Sequence, residues 1–583
     1  MAKPSIDSKL SNRQKVLNSF IMLLLAVIVW LAYFSNSQQF SLYREDFSRV
    51  PMAMQWNWSQ IWQYWQQIFT VMADTEGRPL HPGLIYLFSH LGFQVGGLSA
   101  MYAIAYLLYL LNVLVFYRLM QRSTKNAFFA FTSTLGFALF PVNTNHAWLT
   151  SAFGILPAFF LFLIASHLYL SNSKRNRIFS YLLIFISVFC YEKVLPLFWV
   201  APLLKPTWKW QARSRRELLR HTAILIALLL AALIIRKLAG EGRVNRFLDD
   251  DGLLQVLLAV AIGPLITIVT FVLKPLQTLT MLEVKWLVPM GLLLVAIAYG
   301  LAYLQPKYQA ESLPVEADYS QHQFSQICWR LSIAGFASLI LAYILTLTGS
   351  PDDIYQVNGR DSLVHVAAVF GAAILCGCTC CAIQLAVSRS SRSIATVGLA
   401  LFFTLLIATG FRVQRDFISI AQYQRTFWTD VSRLCPDMTR RSIILIDFDQ
   451  DPAGLAQVLS FNRHFPRLLG DIYQFPPGWM NDEDFAKAVQ PKTYRLDNGW
   501  RKQIAVGDGV LQITDDLAID QRDLPGRVRS DRVILLKSEQ GRLSRQFEPL
   551  VLNGQPFPLK QNRSQLKEPP FRPNLLFDLL ISP

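Results

Sequence analysis

Two stretches near the amino terminus hold side chains whose types and spacing could do chemistry. The first is Arg44-Glu45-Asp46-Phe47, and the second is Asp74-Thr75-Glu76-Gly77-Arg78-Pro79-Leu80-His81-Pro82. Four carboxylates (Glu45, Asp46, Asp74, Glu76) and three basic groups (Arg44, Arg78, His81) therefore share one segment between apolar runs. A carboxylate can take the proton of an attacking hydroxyl, and fixed cations can stabilise a departing phosphate. Arginine suits the second task, because its planar fork matches phosphate oxygens. The plainer reading is a set of solvated loop charges. Glu192-Lys193 differs, since the pair lies between two apolar runs, where ionisable groups are expensive and are usually functional or paired at a helix end. Arg236 and Lys237 close another run, Arg243 and Arg246 follow, and Arg360 lies in the loop Pro351 to Ser362. Each could meet an anionic ligand or extend toward lipid headgroups.

The elements that must position these residues are membrane helices. Of 583 residues, 52% are hydrophobic and only 16% charged, against about 25% charged in soluble domains. Apolar stretches near 17–35, 98–117, 126–141, 147–170, 178–190, 193–204, 221–235, 285–304, 331–348, 364–387 and 394–411 approach the roughly 17–25 residues that cross a bilayer. The expected fold is a polytopic α-helical membrane protein of about eleven crossings over 1–411, followed by a soluble α+β domain over 412–583. In that domain 443–448 and 533–537 read as strands. The net charge of +16 does not indicate nucleic acid, because the basic residues collect in short loops between apolar runs. With a cytoplasmic amino terminus, the loops 118–125, 174–177 and 205–220 all fall inside. The first outside loop, about 36–97, is long enough to carry its own structure, and its Trp58, Trp62, Trp65 and Phe69 recur at helical spacing. Such a helix is expected to lie along the membrane surface or to pack on the core. The run 252–276, broken by Pro264 and Pro275, could cross, re-enter or lie flat. Cys376, Cys378, Cys380 and Cys381 share one apolar run and read as small residues at a helix contact rather than a metal site.

The chain also resembles a known family. Asp46-Phe47, then Arg78-Pro79-Leu80, then Leu139-Phe140-Pro141-Val142-Asn143-Thr144, then Tyr191-Glu192 ahead of Leu195-Pro196, occur in an order similar to the membrane protein O-mannosyltransferases. The likeness is to the TMTC-like branch of the GT-C glycosyltransferase superfamily, and the segment 422–436 with its closing Cys435-Pro436 fits it too. The resemblance covers about 20–435 and implies a GT-C-like fold. It further implies inverting transfer of mannose or a similar hexose from a polyprenyl-phosphate carrier to an acceptor hydroxyl on protein, glycolipid or polysaccharide. Asp46 matches the family's first-loop catalytic acid, and Glu45 could share or replace it. Arg78, His81, Asp74, Glu76, Glu192, Lys193, Arg236 and Arg360 are the expected substrate-binding residues. No cofactor is required, although paired carboxylates could hold magnesium. The partners are then the donor, the acceptor and membrane lipid. The expected place is a bacterial inner membrane, with residues after 412 extracytoplasmic. The tetratricopeptide repeats usual in that branch are absent, so the acceptor is open. A transporter or flippase of a lipid-linked saccharide, or a non-catalytic scaffold, would also use many helices and basic loops.

Overall fold

The computed structural model describes residues 6–70, 77–171, 173–241, 250–280, 287–304, 314–346, 354–388 and 390–438. Beyond these it describes 442–448, 468, 472–473, 493–495, 505–507, 510–514, 517–520, 527–552, 554–561 and 575–581. Its helices in chain order are α1 (Ile6–Val29), α2 (Asp46–Gln55), α3 (Trp58–Gln67), α4 (Leu80–Thr124), α5 (Ala127–Ala138), α6 (Leu149–Tyr169) and α7 (Lys174–Val188). There follow α8 (Ala212–Leu238), α9 (Asp250–Leu279), α10 (Leu287–Leu304), α11 (Pro314–Leu341), α12 (Val369–Ala386), α13 (Arg392–Leu434) and α14 (Leu575–Leu580). Contacts divide the chain into two units, Met1–Gln38 with Trp56–Arg415 and Gln39–Gln55 with Asp416–Pro583.

The first unit is a multi-pass helical membrane assembly. Among the described residues seven helices are long and apolar enough to cross a bilayer, and three shorter apolar helices accompany them. Several expected crossings take another form. The run 193–204 is a 3₁₀ helix over Pro196–Leu204, with Pro196 opening it and Pro202 inside it unable to donate a backbone bond. The run 178–190 belongs to α7, which has only 15 residues. The long α4 is two helices joined at Gly96 and Gly97, and the φ of +66° at Gly97 suits a residue without Cβ. Its first half, with α2 and α3, occupies what the sequence suggests is a loop. The run 252–276 is a single helix, α9, continuous through Pro264 and Pro275.

The three basic loops gather at one end of this unit. Arg122 donates to the carbonyl of His167 at 2.9 Å, Arg177 pairs with Glu217 at 3.4 Å, and Lys205 also pairs with Glu217. Arg330 of α11 donates to the carbonyls of Ser123, at 3.2 Å, and Lys205. The cysteines of α12 lie where helices touch: a methyl on Gly136 of α5 would meet Cys376 Cβ at 2.9 Å, and one on Gly371 would meet the Gly335 carbonyl of α11 at 2.6 Å. On α3 and just after it, Ile61 and Ile68 are buried while Trp58, Trp62 and Phe69 are 51%, 66% and 51% exposed. A capping box between Asn57 and Gln60 starts that helix.

In the second unit the two segments read as strands pair with each other. β1 (Ile443–Phe448) runs parallel to β2 (Thr493–Arg495) and to β7 (Val533–Glu539), and β7 returns antiparallel as β8 (Arg542–Gln546). Gln540 and Gly541, with φ of 52° and 79°, make the tight turn, as a two-residue hairpin favours. A second sheet holds β3 (Ala505–Gly507), β4 (Val510–Thr514), β5 (Leu517–Asp520) and β6 (Arg527–Arg529), and β9 (Leu550–Leu552) pairs with β10 (Gln555–Phe557).

Candidate functional site

Arg78 stands just ahead of α4, held on both sides by its backbone. Gly77 takes a φ of +69° before it, Pro79 fixes the chain after it, and Leu80 donates to the Phe189 carbonyl at 3.1 Å. That bond ties the start of α4 to the end of α7, where Tyr191 donates to Ser187 at 2.8 Å and the chain enters the 3₁₀ turn Glu192–Val194. The two guanidinium donors Nε and Nη2 of Arg78 meet both oxygens of Glu192, the first at 2.6 Å. Arg78 also lies over the Tyr191 ring, 5.2 Å from its centre.

Arg236 comes from the last turn of α8. Its Nη2 donates to Glu192 Oε2 at 3.3 Å and to the Val188 carbonyl at 3.1 Å. The helix then ends in a Schellman motif: Glu241 N–H bonds the Arg236 carbonyl at 3.1 Å and Gly240 N–H bonds that of Lys237 at 3.0 Å. Gly240 has the positive φ, 79°, that this ending requires. The turn brings Glu241 back beside Arg236, with Oε2 at 3.8 Å from Nε and a side chain only 2% exposed. Glu241 leaves no room for a methyl on Gly77.

Burial alone would raise the Glu192 carboxyl, but Arg78 and then Arg236 hold it down at about 2. Burial pushes the Glu241 carboxyl up despite Arg236. Burial lowers the Lys193 ammonium to about 8, against the pull of Glu192. The cluster thus gathers buried Arg236, Lys193 and Glu241 around half-buried Arg78 and Glu192.

A second set of polar contacts adjoins it. Residues 141–146 form a non-helical turn, bound to the loop 357–362. Asn145 Nδ2 donates to Ser362 Oγ at 2.8 Å, Gly359 N–H donates to Thr144 Oγ1 at 2.9 Å, and Ser362 Oγ donates to the Gly359 carbonyl at 2.7 Å. Lys274, from inside α9, donates to the carbonyls of Pro141, at 2.9 Å, and Val357. His146 stacks on Tyr33 with centres 3.8 Å apart, and Tyr343 OH meets His365 Nδ1 at 2.7 Å. Tyr191 OH reaches the Leu363 carbonyl at 3.5 Å, which joins this set to the Glu192 turn.

Of the residues named from sequence, Arg78, Glu192, Lys193 and Arg236 come together. His81 packs its ring on Gly154 of α6. Arg360 opens a 3₁₀ helix (Arg360–Ala368), but its side chain lies outside the described residues, as do Asp74 and Glu76. Asp46 and Glu45 belong to the other unit. There Arg44 has a φ of 46°, and fully buried Asp46 accepts the Tyr43 N–H on Oδ2 at 3.2 Å at the start of α2. Glu45 is half-buried, 4.0 Å from Arg44. Among the described residues no group of three His, Cys, Asp or Glu could hold a metal ion.

No family model and no curated protein matches the chain. Among solved structures it is similar to the crystal structure of ArnT from Cupriavidus metallidurans bound to undecaprenyl phosphate. The identity is 13% over 76% of this chain and 84% of that one, with a TM-score of 0.30. That likeness is too loose to transfer residues, so the site rests on its own geometry. Two of its members escape sequence reading. Glu241 was signalled only by a glycine after a helix ending in two basic residues, and Lys274 by a single charge within a long apolar run.

Proposed function

We propose that the chain is a membrane glycosyltransferase of the GT-C kind, which takes a hexose from a polyprenyl-phosphate carrier and passes it to an acceptor hydroxyl. The observation that carries this reading is the group of half-buried Arg78 and buried Arg236 and Lys193 around Glu192, at helix ends in a multi-pass membrane protein. Sugar transfer from a phosphate leaves extra negative charge on a group already anionic, and cations held in a low dielectric stabilise it without reorganising. The order of motifs resembling the protein O-mannosyltransferases supports mannose or a similar sugar and an inverting course. Asp46, with Glu45 beside it, is the acid of the first loop proposed to take the acceptor proton. The acceptor side is proposed to be extracytoplasmic.

The test is turnover by purified protein in lipid nanodiscs, with mannosyl and glucosyl polyprenyl phosphates and a hydroxyl acceptor. Release of free polyprenyl phosphate together with acceptor glycosylation is expected. Movement of intact carrier across vesicles without glycosidic cleavage would make the chain a transporter or flippase instead.

A further inference from the structure

We infer that, whatever reaction the chain performs, Cys328 of α11 and Cys381 of α12 are a redox-active pair, two thiols placed to close a reversible disulfide between the helices. These helices meet backbone to backbone. A Cβ on Gly335 would lie 3.1 Å from the Gly371 carbonyl, and one on Gly371 would lie 2.6 Å from the Leu339 backbone nitrogen. Small residues at such a contact are what let two helices close up. Two turns along α12 from Gly371 stands Cys378, and two turns back along α11 from Gly335 stands Cys328. The Cys378 thiol donates to the Cys328 carbonyl at 3.6 Å, so the antiparallel pair keeps its register and its close approach over that distance.

Cys381 follows Cys378 by one turn on the same face of α12 and so meets the same residue of α11. The Cys328 and Cys381 thiols hydrogen-bond each other. A disulfide needs Cβ atoms about 3.5–4.5 Å apart, a span that fits two touching thiols on helices packed this closely. Other cysteines of α12 are engaged elsewhere: Cys376 packs on Gly136 of α5, and Cys378 bonds the carbonyl. Access differs within the pair. Cys381 is buried, whereas Cys328 is half-buried and just precedes Arg330, which reaches the Ser123 and Lys205 carbonyls where the basic loops gather. Cys328 thus stands at the polar end of the bundle as the attacking thiol, with Cys381 behind it to resolve the product. The oxidant is a small disulfide. The Cys328 thiolate attacks one of its sulfurs and expels one thiolate, and Cys381 then attacks the Cys328 sulfur and expels the second. Two protein thiols are oxidised, and the small disulfide is reduced to two thiols that take up the two protons.

The test uses the full-length protein in zwitterionic nanodiscs, which leave both faces open to solvent. It is reduced, freed of reductant and exposed at about pH 8, near the ordinary thiol range, to oxidised glutathione. Remaining thiols are then blocked with maleimide in denaturant, and linked peptides are mapped by mass spectrometry. The reduced protein carries seven thiols. Oxidation is expected to remove two of them, in one linkage between the Cys328 and Cys381 peptides, and dithiothreitol to restore both. Cys378→Ser should still form that linkage. Cys328→Ser should keep all its thiols, whereas Cys381→Ser should hold glutathione on Cys328, because the resolving thiol is gone. Retention of all seven thiols in the parent overturns the pair, as does linkage of Cys328 to Cys378 or of Cys376 to Cys380. A parent that stops at glutathione on Cys328, or that links only when oxidised after denaturation, overturns it too. A Cys381→Ser protein that takes no glutathione overturns Cys328 as the attacking thiol. The linkage itself is read on the parent, so a variant that fails to fold leaves the peptide map to decide.

Discussion

Two guanidinium groups share half-buried Glu192 and favour its ionised form. Removing one partner of such a pair strands the others, at a cost of about 3–5 kcal/mol. Glu192→Gln is therefore expected to lower the melting temperature sharply, and Arg78→Lys to lower it less, since a point charge keeps attraction but loses the fork. The pH dependence has a definite sign. Glu192 titrates near 2 in the folded protein against an ordinary 4.5, so its contribution is present above about 4.5 and is lost as pH falls toward 2. Parent stability measured from pH 6 to 3 should therefore fall more steeply than that of Glu192→Gln; parallel curves would show that Glu192 is not held low. Asp46 poses a separate question. Its Oδ2 accepts a backbone N–H that an asparagine oxygen could also accept, so Asp46→Asn keeps that bond. Sugar transfer should nevertheless fall by roughly 10²-fold, the scale of a lost general base. Normal transfer in Asp46→Asn with an inactive Glu45→Gln would move the base one residue.

At the scale of elements, the site is built from chain ends more than from helices. A Schellman ending on α8 aims Glu241, a left-handed Gly77 makes room for it, and a 3₁₀ turn after α7 presents Glu192 and Lys193. Gly240→Ala puts a Cβ into a left-handed residue, worth about 1–2 kcal/mol. It is expected to destabilise by that amount and to weaken Arg236 as a donor to Glu192. Gly77→Ala adds an overlap with Glu241 to the same strain and should be worse, with both read from melting temperature. These ends explain what sequence conveyed and what it did not. The charges of Arg78, Glu192, Lys193 and Arg236 are conspicuous against apolar runs, so they can be named without a structure. Their convergence depends on the bond from Leu80 to Phe189 and on the turn at Gly240, and neither pairing has a local sequence period. The 193–204 run reads as an α-helical crossing because hydropathy counts its leucines and is blind to the 3₁₀ winding that Pro202, inside the helix, favours.

For the whole molecule, the side of the membrane reached by the last residues follows from counting crossings from a fixed point. Arg330 is bonded to the carbonyls of Ser123 and Lys205, within the cluster of basic loops that the positive-inside rule places in the cytoplasm. From Arg330, α11 leads away from that end toward Tyr343, which meets His365 near the Glu192 turn. On this count α12 returns to the basic residue Arg392, and α13 leaves again. We propose that the cluster of basic loops is cytoplasmic, from which three crossings would end outside, whatever path α9 takes. The residues after 415 are therefore expected opposite the loops 118–125 and 174–177, on the side of the acceptor. Two single cysteines test this, at Val551, which is 63% exposed, and at exposed Lys174. The native cysteines are buried or half-buried and give a low background. A membrane-impermeant maleimide on intact cells should label Val551→Cys and spare Lys174→Cys until the membrane is opened. Labelling of Lys174→Cys alone would invert the whole arrangement, and labelling of neither before lysis would place both sites inside and require one fewer crossing among α11, α12 and α13.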